Sequence, residues 1–248
     1  MLRAAFFDVG DTLLRARGEH ATLRAAVRAR LVERFGERAW YDELLAADLL
    51  EELLVDDPAE PLRQRTLVVL GRWLDRHRIP HDDLDLDDFR RHVEVPRELG
   101  ATLAPGTRDV LAWLRDRGLR VGVISNTLWT GDDEMRADLP RVDLADLVDV
   151  VVTSHTTGFR KPHRAIFERA LSLAGAPASA SFMVGDEPYA DVLGAKRAGM
   201  RAVWLRLPPP RPHPVGAPPD LRVEPDARVS SLPELPEVVE TWLRTDRA

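Results

Sequence analysis

The stretch Ala4-Ala5-Phe6-Phe7-Asp8-Val9-Gly10-Asp11-Thr12 begins as an unbroken apolar run and ends in carboxylates and a hydroxyl. A strand with one wet face would alternate polar and apolar residues. Here the first polar side chain is Asp8, so Ala4–Val9 is predicted to be a strand buried on both faces, as in parallel sheets covered by helices on each side. Leu119–Ser125, Val148–Thr153, Ser181–Gly185 and Arg201–Leu205 have the same character. Helical periodicity alternates with them. Thr107–Arg117 puts Val110, Leu111 and Leu114 on one face and meets Gly118; His163–Ala174 carries Ile166, Phe167, Ala170 and Leu171 and meets Gly175; Tyr189–Ala198 carries Val192, Leu193 and Ala195 and meets Gly199. Glycine just past a helical run is a C-terminal cap signal. Strand and helix in alternation predict an α/β fold, a doubly wound (Rossmann-like) parallel sheet.

Between the first two predicted strands the pattern changes. Ala21–Phe35 repeats Leu23, Val27 and Leu31; Asp42–Val55 carries leucine pairs at 44/45, 49/50 and 53/54; Leu62–His77 carries Val69, Leu70, Trp73 and Leu74; Leu86–Val93 is shorter. These stripes predict an all-helical bundle inserted after the first strand. The expected division is a core of residues 1–14 and 98–248 and a helical cap domain of 15–97. Residues 208–225 hold eight prolines and read as an extended surface segment, and Asp226–Val229 with Leu235–Leu243 as a closing strand and helix.

Composition narrows the function classes. Hydrophobic residues make up 44% of the 248 and charged residues 31%, a globular balance. The net charge of -6 argues against a nucleic-acid or anionic-membrane partner. No apolar run approaches the roughly 18 residues a membrane span needs, and no signal-peptide pattern opens the chain. With no cysteine, thiolate chemistry is excluded and a cytoplasmic setting is expected. Only two of 35 Lys+Arg residues are lysine, Lys161 and Lys196, so a lysine marks a place where arginine would not serve.

Ligands of an open parallel sheet sit at the carboxyl ends of its strands. Those ends carry Asp8, Gly10, Asp11 and Thr12; then Ser125-Asn126-Thr127; then Lys161-Pro162; then Gly185-Asp186-Glu187 with Asp191 nearby. Carboxylates, a hydroxyl and a lysine fit phosphoryl transfer: a carboxylate attacks phosphorus only when repulsion between the two anions is neutralised, which Mg²⁺ held by oxygen ligands does. Taken singly, each residue has a plainer role as a turn former, helix start or cap; Lys196 is left as a local pairing residue, and Trp40, Trp73, Arg65 and His77 as core or surface residues of the insert.

The segments Asp8-Val9-Gly10-Asp11-Thr12, Ile124-Ser125-Asn126-Thr127, Lys161-Pro162 and Gly185-Asp186-Glu187-Pro188-Tyr189-Ala190-Asp191 resemble, in order, the four motifs of the haloacid dehalogenase-like (HAD) hydrolase superfamily, and the insert resembles the α-helical C1 cap of its subfamily I. The resemblance implies Asp8 as nucleophile with Lys161 and Ser125 as catalytic partners. It implies Ser125, Asn126 and Lys161 as phosphate-binding residues, and Asp8, Gly10 (through its carbonyl), Asp186 and Asp191 about Mg²⁺. One position departs from it. Phosphatases of that superfamily carry a general acid/base aspartate two residues after the nucleophile, and here that residue is Gly10, with Asp11 one place late.

The expected function is therefore a Mg²⁺-dependent phosphomonoester hydrolase that acts on a small phosphorylated metabolite through an aspartyl-phosphate on Asp8. The alternatives are a weakly catalytic or non-catalytic binding protein on the same scaffold, motivated by Gly10, and a haloacid dehalogenase. The last is disfavoured because Asp186, Glu187 and Asp191 beside Asp8 would be costly without a cation. A phosphonatase is excluded because neither lysine lies in the insert. Substrate choice is expected to rest with the insert. Oligomeric state stays open, since its leucine-rich helix could pair with a second copy or pack internally.

Overall fold

The computed structural model describes residues 1–16, 19–47, 62–94, 101–207 and 222–246. Six strands form one parallel sheet: β1 (Ala4–Phe7), β4 (Arg120–Ser125), β5 (Val150–Thr153), β6 (Ser181–Gly185), β7 (Arg201–Leu205) and β8 (Ala227–Val229), in the spatial order β5-β4-β1-β6-β7-β8. Two short strands, β2 (Leu14–Ala16) and β3 (Ala101–Leu103), pair antiparallel as a separate ribbon.

The apolar run at β1 is explained by where its residues go. Ala5 and Phe7 join one core, with Leu111 and Leu114 of helix α5 (Thr107–Asp116) and Leu235 and Val239 of helix α10 (Leu235–Thr245). Ala4 and Phe6 join the opposite core, with Ile166, Phe167 and Ala170 of helix α8 (Arg164–Ala174). All four β1 side chains are fully buried. Successive strand residues point to opposite faces, and both faces are covered, so no position is left for a polar residue. Gly122 lets β4 lie close to β1, since a Cβ there would stand 2.7 Å from the Phe6 ring.

Connections leave β1 in opposite directions, to β4 and β5 on one side and to β6, β7 and β8 on the other. This is the switch point at which α/β sheets bind ligands. Phe7 is in register with Val123 and Val184, so Asp8 emerges beside Ile124 and Gly185.

The insert begins and ends at the β2–β3 ribbon, whose strands are too short to announce themselves by periodicity. Its described helices are α1 (His20–Phe35), α2 (Tyr41–Ala46), α3 (Thr66–Arg76) and α4 (Leu86–Val93). They share a third core of Val27, Leu31, Tyr41, Leu44, Leu70, Trp73, Leu74, Phe89 and Val93. Trp73 is buried there with Trp40 against it, and His77 stacks on Trp73 at 4.1 Å, so these residues build the bundle. Arg65 immediately precedes α3.

Two expectations are corrected and part of two others lies outside the described residues. The helix expected over Leu62–His77 starts at Thr66, because Leu62–Gln64 is extended and Arg63 bridges Phe159. Of the helix expected over Asp42–Val55, residues beyond 47 lie outside the described residues, as do 208–221 of the proline-rich segment. The regular helix expected over Tyr189–Ala198 is a π-helical turn, Pro188–Leu193, followed by α9 (Gly194–Arg197). Gly194 sits where a Cβ would meet the Phe167 ring at 2.4 Å, so the turn packs tightly on α8. Lys196 pairs locally, with both carboxylate oxygens of Asp226 at 2.8 Å. Among the described residues no helix is long and apolar enough to cross a membrane.

Candidate active site

Lys161 is the hub. It lies 3% exposed, and its Nζ donates to Asp8 Oδ1 at 2.6 Å, to Asp191 Oδ1 at 2.7 Å and to the Ile124 carbonyl at 2.8 Å. All three ammonium protons are thus used. Burial opposes its charge, but the Asp191 and Asp8 carboxylates outweigh that and push its pKa above the usual lysine value. An arginine fork could not fill one compact point between two carboxylates and a carbonyl.

Asp8, immediately beyond β1, keeps a side chain 13% exposed and so remains reachable from the crevice. Asp191, in the π-helical turn, is 1% exposed. Its Oδ1 accepts from Lys161 and its Oδ2 from the Glu187 N–H at 3.1 Å, so it steadies the lysine and the Glu187 backbone together. Asp186, at the end of β6, accepts from the Thr12 hydroxyl at 3.4 Å, and Trp204 Nε1 donates to its carbonyl at 3.1 Å. Burial, then the charges of Asp8 and Asp191, raises the Asp186 pKa to about 8. Burial raises Asp191 to about 7 despite Lys161, and raises Glu187 as well.

Ser125 closes β4 with 5% exposure, in register with Thr153. The Asn126 carboxamide faces Lys161: its Oδ1 accepts the Lys161 N–H at 2.8 Å and its Nδ2 donates to the Lys161 carbonyl at 3.3 Å. One N–H remains for a ligand, so most of its hydrogen bonding fixes the lysine loop rather than an anion. The Lys161–Pro162 peptide is cis, and α8 begins two residues later with His163 as its N-cap. Gly10 is exposed, and a Cβ there would meet nothing within 4 Å. Asp11 adopts a left-handed φ of 55° in the turn that follows.

The structure thus gathers Asp8, Asp186 and Asp191 so that one oxygen of each lies within 4.8 Å of the others. Three carboxylates facing one ammonium leave an excess of negative charge that a divalent cation matches. All the donors are hard oxygens, the set Mg²⁺ prefers. The raised carboxyl groups point the same way, since a bound cation would favour their ionised forms against the burial, and the mutual repulsion, that raise them.

Two residues that shape the site were not among the expected site residues, Gly185 although the fourth motif contains it. Gly185 is required because a Cβ at that position would stand 2.1 Å from Asp191 Oδ2. Its place at the end of the apolar run Ser181–Gly185 marks the residue, but not the reason for it. Gln64, from the insert, is 7% exposed and donates to the Thr127 carbonyl at 2.7 Å, with no local pattern to announce it.

Residues 2–199 match the profile of the haloacid dehalogenase-like hydrolase family. The chain is 31% identical over 216 residues to a glyceraldehyde 3-phosphate phosphatase of Methanothermobacter thermautotrophicus, covering 83% of this chain and 86% of that one. It is 29% identical over 218 residues to the glyceraldehyde 3-phosphate phosphatase of Pyrococcus abyssi, covering 83% and 82%. The crystal structure of a 2-haloacid dehalogenase from Pseudomonas syringae pv. Tomato aligns with a TM-score of 0.63 at 27% identity, over 98% of this chain and 100% of the other.

Proposed function

The chain belongs to the haloacid dehalogenase-like hydrolase family, and from that premise we propose that it is a Mg²⁺-dependent phosphomonoester hydrolase working through Asp8 on a small phosphorylated metabolite. The observation that carries this reading is the Lys161 ammonium held between Asp8 and Asp191 beside Asp186. The phosphatase names of the Methanothermobacter and Pyrococcus relatives support it. Residues 1–14 and 98–248 would form the catalytic core and residues 15–97 the cap over it.

An Asp8 carboxylate oxygen attacks phosphorus, the bond from phosphorus to the ester oxygen breaks, and the departing alkoxide takes a proton from water. Water then attacks the phosphorus of the aspartyl-phosphate, which releases phosphate and restores Asp8. Lys161 holds the Asp8 carboxylate by a hydrogen bond and brings its positive charge beside the phosphoryl group, whose oxygens the Ser125 hydroxyl meets. Asp8, Asp186 and the Gly10 carbonyl would hold Mg²⁺, with Asp191 behind them through Lys161. When bound, the ion supplies positive charge against the phosphoryl oxygens.

Glycine at position 10 offers no proton donor, which favours substrates with good leaving groups. Positioned acid/base catalysis is typically worth about 10²–10⁴-fold. An activated aryl phosphate with Mg²⁺ is therefore the substrate for the first assay. Asp8→Asn is expected to abolish its turnover, and turnover unaffected by that substitution rejects the reading. Gly10→Asp, whose Cβ would meet nothing within 4 Å, is expected to raise the rate. No gain would mean that another group already moves the proton.

A dehalogenase reading is favoured by the Pseudomonas structure. It is opposed by the Asp186 and Asp191 carboxyl groups packed beside Asp8. Metal-independent halide release from a 2-haloacid by the wild-type chain would decide for it.

A further inference from the structure

We propose that Gln64 is a positioning residue that fixes the spacing between the Ser125 loop and the Lys161 loop, and so the width of the phosphate seat. This rests on the phosphatase reading above. Leu62–Gln64 lies antiparallel to Gly158–Arg160: the Gln64 N–H donates to the Gly158 carbonyl and the Arg160 N–H to the Leu62 carbonyl, each at 2.8 Å, around the Arg63–Phe159 bridge. The Arg63 guanidinium lies 5.7 Å over the Phe159 ring. The segment just before Lys161 is therefore zipped to the insert.

The Gln64 side chain then crosses to the other loop. Its Nε2 donates to the Thr127 carbonyl at 2.7 Å and lies 3.1 Å from the Thr66 hydroxyl, which itself donates to the Leu128 carbonyl at 2.9 Å. Thr127 stands two residues beyond Ser125. One residue of the insert thus holds the Ser125 loop by its side chain and the Lys161 loop by its backbone. The core adds cross-links of its own: Asn126 to the Lys161 backbone, and the Ser154 hydroxyl to the Thr127 N–H and carbonyl.

A buried residue whose side-chain amide satisfies a carbonyl of one loop and whose backbone N–H satisfies a carbonyl of the other fixes their separation; without the side chain the Thr127 carbonyl keeps only the Ser154 hydroxyl, at 3.0 Å, as donor. Phosphoryl transfer depends on sub-ångström placement of the groups around phosphorus. Gln64 touches no reacting atom and acts only through these loops.

The test uses the full chain with Gln64→Met, which keeps length and apolar volume but has no donor. Two measurements are made: kcat for an activated aryl phosphate with Mg²⁺, and hydrogen exchange of the Thr127 and Lys161 amides, which are bonded to Ser154 Oγ and Asn126 Oδ1. The expected result is a kcat lower by roughly 10- to 100-fold together with faster exchange at both amides, while the amides of Thr66–Arg76 keep their protection. Unchanged kcat, or unchanged exchange at either amide, overturns the assignment. If protection is also lost across Thr66–Arg76, the same two readings are taken on Gln64→Glu, which keeps the shape but cannot donate, with the same outcomes. If the wild-type chain hydrolyses no phosphate ester, the phosphatase reading fails, and exchange alone decides whether Gln64 holds the two loops.

Discussion

Gly185 and Asp191 show how closely the site is built around single atoms. The Asp191 carboxylate crosses the space that any side chain at position 185 would need. Gly185→Ala must therefore push Asp191 off Lys161 and off the Glu187 N–H. The expected outcome is loss of most turnover and weaker Mg²⁺ binding, measured by kinetics and calorimetry, with the sheet still folded by circular dichroism. Retention of full activity would show that Asp191 is not needed where it stands. At this scale much was legible. Asp8, Ser125, Lys161 and Asp186 follow from polar residues placed where apolar strands end, and the scarcity of lysine singled out Lys161. The division of labour was not legible. That Asn126 spends its carboxamide on the Lys161 backbone depends on two loops 35 positions apart in sequence meeting in space.

Between the sheet and the insert, the loop after β4 behaves as part of the insert. Leu128 and Trp129 pack against the insert's core. The carbonyls of Thr127, Leu128 and Trp129 accept from Gln64, Thr66 and Arg90 respectively. Arg90 is 5% exposed and also pairs with Asp87 at 2.7 Å and with Glu134 at 2.8 Å. Burial alone would raise the Glu134 pKa, but Arg90 and nearby backbone N–H groups hold it below the usual carboxylate range. Arg90→Ala takes the guanidinium from the Trp129 carbonyl and from Glu134 Oε1, leaving Glu134 the Gly131 N–H on Oε2. A loss of about 2 kcal/mol in urea unfolding is expected, and an unchanged midpoint would show that water replaces the guanidinium without cost. The helices themselves were readable from their periodicity. The β2–β3 ribbon, the π-helical turn and the extended Leu62–Gln64 were not, because each is shorter than the window in which periodicity can be seen and each is set by distant partners.

The whole molecule carries its buried negative charge as a dependence on pH and metal. Asp186 and Asp191, raised to about 8 and about 7 by burial, bind protons more tightly folded than unfolded. Their contribution to stability is present in full below the ordinary carboxyl range and is lost as pH rises through those values. His155 works in the opposite sense below about 6.5, since burial keeps it neutral. Thermal unfolding in a chelator should therefore show a Tm that falls from pH 6.5 to 8.5. Added Mg²⁺ should raise Tm most at the upper end, where the carboxyl groups are free to bind it. A Tm that is flat with pH and indifferent to Mg²⁺ would count against a metal at this site. The sequence alone determined the order of strands and helices, the helical insert and the line of polar residues at the strand ends, because burial on one or two faces writes itself into local periodicity. Only the tertiary structure decided which of those residues touch, that Gly185 makes room for Asp191, and that Gln64 and Arg90 tie the insert to the loop beyond Ser125. Apart from Gly185 and Asp191, six residues apart, those contacts join positions from tens to more than a hundred residues apart, and no local pattern of polarity records a partner that far along the chain.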